Sequence, residues 1–104
     1  MQSIGLKDEI ASVMTSNAYE ALLEVCNSVM FLKGFKSYSH ECVTAFISEI
    51  LKEEKIARTF ERYRRIRNRI NYYGEGVSLL TAKAALAEVR EAIDYLTDKY
   101  LKGL

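Results

Sequence analysis

The chain has no proline and only five glycines in 104 residues. A sheet protein with many tight turns would draw on both, so long helices are expected instead. Cysteine is scarce. Cys26 and Cys42 stand alone, outside any CxxC or His-rich cluster. That spacing argues against zinc and against a disulfide framework. Both are expected as small buried hydrophobes carrying reduced thiols. Histidine occurs once, at His40, so a Cys–His nucleophile pair would have to use that residue. No run approaches the roughly 18 apolar residues of a membrane span. The opening MQSIGLKDEIASVM has no basic region followed by an apolar run. No secretory signal is therefore expected, and the cytoplasm is the expected compartment. The phosphate-loop pattern GxxxxGK[ST], the dinucleotide pattern GxGxxG and the zinc pattern HExxH are all missing.

What is present is ordinary globular material. Hydrophobic residues make up 49% and charged residues 28%, which excludes a mainly disordered chain. The length suits one domain over 1–104, able to bury about 65% of its unfolded surface.

The net charge of +1 hides an uneven distribution. Residues 1–51 carry three lysines against six acids, net −3. Residues 52–74 carry eight basic groups against three acids, net +5. Residues 75–104 carry four against five, net −1. Six of the seven arginines fall between Arg58 and Arg69, and this is the sharpest feature of the composition.

Apolar spacing predicts helices throughout. A short one is expected over 6–14. Ser16 or Asn17, with Glu20 in capping-box spacing, offers a second start before a stripe of Ala18, Leu22, Val25, Val29 and Leu32. Whether the chain restarts there or continues is left open by the pattern. Gly34 should end this segment. Ser37 or Ser39 can cap a helix over 40–51 with Val43, Phe46, Ile47 and Ile50 on one face. A third helix over 56–73 carries Ile56, Phe60, Tyr63, Ile66, Ile70 and Tyr73, and Gly74 to Gly76 break it. Ser78 or Thr81 caps a last helix to about 101, with Ala82, Leu86, Val89, Ile93, Leu96 and Tyr100 inward. The expected fold is all-α, an up-and-down bundle of four to five helices.

On the third helix Arg58, Arg62, Arg65 and Arg69 recur at spacings of four, three and four, turned away from the apolar face. Arg64 lies on one flank, and Arg67 lies at the edge of the apolar face. An arginine stripe reads either as a solvated surface or as a phosphate-binding one. The guanidinium is planar, permanently charged and a bidentate match for phosphate. Only Glu61 interrupts the six arginines, so four largely unpaired charges are expected to attract polyanions. Arg67 needs a partner if desolvated: an acid on another helix, or an anionic ligand in a pocket. Acidic groups at Glu53/Glu54 and at Glu88, Glu91 and Asp94 look like charged helix surface, and no metal or other cofactor is expected.

The string RNRINYYG, Arg67 to Gly74, following an arginine-rich helix, resembles the HEPN family (higher eukaryotes and prokaryotes nucleotide-binding domain). The upstream string LKGFKSYSHE, Leu32 to Glu41, is similar to a segment of small prokaryotic, especially archaeal, members. The resemblance implies a helical bundle that forms a homodimer and joins two copies of a motif at a cleft. In active members that motif supports metal-independent RNA cleavage. Many members are toxins paired with a minimal nucleotidyltransferase antitoxin. Carried over, the motif arginine is Arg67, the polar residue after it Asn68, and the histidine position Tyr72. Tyrosine, with a pKa near 10, is a poor general base at neutral pH.

Two functions follow as expectations. One is an RNA- or nucleotide-binding HEPN-like homodimer, an endoribonuclease if Tyr72 can serve, with Arg67, Asn68 and Tyr72 at the reacting phosphate. Arg58, Arg62, Arg64, Arg65 and Arg69 would hold the nucleic-acid backbone. The other is a catalytically silent module that binds a nucleotide or a nucleotidyltransferase.

Overall fold

A computed structural model describes residues 6–36 and 39–102. The side chains of Leu6 and His40, and the candidate cap Ser37, lie outside the described part. Among the described residues the chain is helical, without strands. The elements are α1 (Leu6–Leu32), α2 (His40–Ala45) running into a π-helical turn (Phe46–Ile50), α3 (Glu54–Tyr73), and α4 (Leu79–Leu96) ending in a second π turn (Thr97–Leu101).

Near Ser16, where the spacing left both courses open, the chain continues without a restart. α1 is one helix of 27 residues. Nothing in it breaks the backbone: it holds neither proline nor glycine. Its buried stripe of Ala11, Thr15, Ala18, Leu22, Cys26 and Val29 runs through the supposed boundary without a phase change. Thr15 is buried, but its hydroxyl donates to the Ala11 carbonyl at 2.8 Å, so it needs no break in the ladder. The helix ends where expected. Gly34 takes φ +83°, Phe35 N–H donates to the Met30 carbonyl at 2.9 Å, and Gly34 N–H donates to that of Phe31 at 3.0 Å. These are the paired bonds of a Schellman cap.

Two serines start helices as their positions suggest. Ser39 Oγ accepts from Cys42 N–H at 3.2 Å, and Ser78 Oγ accepts from Thr81 N–H at 3.1 Å. The π turn after α2 shifts the register by one residue, with Leu51 N–H donating to the Phe46 carbonyl. Ile50, expected inward, is exposed as a result. Cys42 is exposed too, against the expectation of a buried thiol, whereas Cys26 is buried.

The ends of the elements fix their directions. Val77 N–H donates to Ser12 Oγ at 3.2 Å, and Lys33 lies over the Tyr100 ring at the other end. α4 therefore runs parallel to α1. Lys55 meets Glu91 and Arg62 meets Glu88, so α3 runs antiparallel to α4. The short α2 packs against α1 and α3. Tyr19, Leu22, Val29, Val43, Ile47, Phe60 and Leu96 form the centre of the core. The Tyr19 and Phe60 rings sit 5.2 Å apart, tilted.

Burial on α3 fades along its length. Ile56, Ala57, Phe60 and Tyr63 are buried, Ile66 and Ile70 are half-buried, and Tyr73 is exposed. The apolar spacing is intact to Tyr73, but the core does not follow it that far.

Candidate nucleic-acid interface

All the singled-out residues lie on α3, so one helix's geometry decides their relations. With 100° per residue, Arg58, Arg62, Arg65 and Arg69 point away from the buried row of Phe60 and Tyr63. All four are exposed. The stripe exists, but its charge is not largely unpaired. Arg62 Nη1 lies 2.7 Å from Glu88 Oε2, Arg65 Nε 3.5 Å from Glu61, and Arg69 Nε 3.7 Å from Glu75. Among the described residues Arg58 is the member of the stripe with no carboxylate within 4 Å. Two of the compensating acids come from outside the helix, which is why counting acids between Arg58 and Arg69 underestimates them. Each such exposed pair is worth only about 0–1 kcal/mol and is screened by salt. The guanidinium groups stay within reach of solvent.

Arg64 is held differently. Its guanidinium donates two bonds to Glu61, whose carboxylate also accepts from Thr44 Oγ1 at 3.1 Å. The bond from Arg64, outweighing partial burial, holds the Glu61 carboxyl below the usual glutamate range. The same contact raises Arg64. This group joins α2 to α3.

Arg67 finds the acid on another helix. Its Nη2 pairs with Glu20 of α1, and its guanidinium lies over the Tyr19 ring, 5.5 Å from the centroid. Arg67 is 27% exposed and Glu20 is 41% exposed. The Tyr19 phenol below is pushed up to about 12, mainly by burial, with Arg67 pulling the other way.

One chain does not assemble Arg67, Asn68 and Tyr72 on one face. Tyr72 stands about 140° around the helix from Arg67, and Asn68 about 100°. Asn68 is half-buried. The residue one turn beyond Arg67 on its own side is Asn71, which is exposed. Tyr72 lies instead beside the arginine stripe, three residues after Arg69, and Tyr73 lies four after it. Their exposures are 78% and 77%.

A groove of about 580 Å³ runs between α3 and α4, over a floor of Ile56 and Ala92. Lys55, Arg58 and Arg62 share its lining with Glu53, Glu54, Glu88 and Glu91. The mixed signs cancel and favour no charge of ligand. Among the described residues no three His, Cys, Asp or Glu side chains gather as a metal site, and no helix is long and apolar enough to cross a membrane.

Compared with protein-family models, with curated proteins and with solved structures, the chain matches none. The likeness to HEPN domains therefore rests on the two strings, the arginine-rich helix, the helical stretch 18–30 and the closing helix, and on no match to a known protein. The residues that sequence reasoning missed are acids. Glu61 was legible, three and four residues before Arg64 and Arg65. Glu20 and Glu88 had no local signal, because only packing brings α1 and α4 to these arginines.

Proposed function

We propose that the solvent face of α3 binds single-stranded RNA, within a HEPN-like module acting as a homodimer. The observation that carries this reading is the pair Tyr72 and Tyr73, more than three-quarters exposed, one turn beyond Arg69. A helix end that shows two aromatic rings to water gains nothing for its own core. Beside a row of guanidinium groups, the rings are stacking platforms for bases, and the arginines track the backbone. Arg58 is the cation most free to take a phosphate, and Arg62, Arg65 and Arg69 exchange weak carboxylate partners for phosphate ones.

Cleavage asks for more than binding. Arg67 is occupied by Glu20, and Tyr72 lies on another side of the helix. A reacting phosphate between them would have to span two copies of the chain. Binding without cleavage is the expected behaviour of the wild-type protein.

The test is fluorescence anisotropy with a labelled ten-nucleotide RNA at two salt concentrations. Wild type should bind and weaken steeply with salt. Tyr72→Ala and Tyr73→Ala should each weaken binding by about 1–3 kcal/mol at constant salt. Arg65→Ala should reduce the salt slope by about one. Binding that is absent at low salt, or flat with salt, would sink the RNA reading. Co-purification with a nucleotidyltransferase in that case would turn the arginine face toward a protein partner. RNA cleavage gained in Tyr72→His would show a nuclease scaffold lacking only its proton-transfer group.

A further inference from the structure

We propose that Glu20 is an internal competitor for the phosphate that Arg67 would otherwise hold, so that α1 sets the anion affinity of this site. The inference rests on the RNA reading in its choice of natural ligand, but its chemistry can be tested without RNA.

Arg67 is built as an anion seat. Its guanidinium is fixed over the buried Tyr19 ring, which leaves its donor edge as the part available to a partner. A carboxylate and a phosphate offer that edge the same pair of oxygens. The chain's own carboxylate takes the position: Arg67 pairs with Glu20. Glu20 projects from α1, and its side chain is more exposed than that of Arg67. An incoming phosphate therefore meets the negative charge first.

The contrast with Arg64 and Glu61 shows why this pair can open. Glu61 makes two bonds to Arg64, accepts a third from Thr44, and lies within 4 Å of Arg65. Removing it would strip several donors at once. Glu20 forms one ion pair, with Arg67, among the described residues. A single, partly exposed pair is weak and is loosened by salt. Losing its carboxylate leaves Arg67 solvated at one edge, and not sealed as an orphan charge.

The experiment measures binding of inorganic pyrophosphate and, separately, of a labelled ten-nucleotide RNA. The proteins are wild type, Glu20→Gln, Arg67→Ala and the double variant. Glu20→Gln should bind both probes roughly two- to fivefold more tightly than wild type, the scale of one released, partly exposed ion pair. The gain should vanish in the double variant, because it acts through Arg67. Equal affinities of wild type and Glu20→Gln for both probes would overturn the inference. So would a gain that survives Arg67→Ala, since it would then be a general effect of charge. If no protein binds RNA but Glu20→Gln takes pyrophosphate more tightly through Arg67, the RNA reading fails and the role of Glu20 stands. Should Glu20→Gln not fold, the Arg67 side-chain Nε–H resonance of wild type decides. It should move on adding millimolar pyrophosphate, and a resonance that stays still overturns the inference.

Discussion

Phe60 and the two cysteines show how differently single residues are held. Phe60 is fully buried against Tyr19 at the crossing of α1 and α3. Phe60→Ala should cost about 3–5 kcal/mol, from lost transfer energy and the cavity left behind, measured by urea unfolding. Cys26 is sealed in α1, and burial pushes its thiol up to about 12. Cys42 is exposed at the start of α2. A neutral-pH thiol reagent should modify one of the two cysteines in the native protein and both in denaturant. Labelling of both at equal rates would contradict the packing of α1. Cys26 was legible as a buried position. Cys42 was not, because α2 is too short for spacing alone to say which side it buries.

At the scale of elements, helix ends were the most readable feature. Ser39, Ser78, Gly34 and Gly74 act through local geometry that a few residues specify. Gly74 ends α3 at φ +65°, and a Cβ there would meet nothing within 4 Å. Gly74→Ala should therefore cost about 1 kcal/mol through the backbone alone. Ser78→Ala should cost about as much through the lost bond to Thr81 N–H. Both are checked by denaturant midpoints at constant slope. The length of α1 was harder to read, because Ser16 and Asn17 imitate a helix start. A cap signal counts only where the backbone is free to leave the helix, and the core stripe on either side of these residues prevents that.

The molecule as a whole should lose stability at both ends of the pH scale. Glu61 is held below the usual carboxylate range, chiefly by Arg64. Its contribution is complete above the ordinary glutamate pKa of about 4.3 and disappears as pH falls through its lowered value. Tyr19 is raised to about 12 by burial. Its contribution is complete below the ordinary tyrosine pKa of about 10 and is lost as pH rises from there to about 12. Tyr63 and Tyr100, also raised mainly by burial, act in the same direction. Urea midpoints at pH 3, 7 and 11 should be highest at pH 7. Glu61→Gln should flatten the acid side, and a midpoint that keeps falling equally steeply in that variant would remove Glu61 from the account.

The sequence by itself determined the helical class, four of the helix ends, the place of the arginines on one helix and most of the core stripes, though not the exposure of Leu32, Ile50, Tyr73 and Leu86. Those properties follow from spacing and from residues that act on their neighbours. Tertiary structure decided the rest: that α1 lies parallel to α4, that the core stops short of Tyr73, and which arginines meet carboxylates. Glu20 and Arg67 are 47 residues apart in the chain, and no local rule joins them. Charge acts through space, so its balance could be read only once α1 and α4 were packed beside α3.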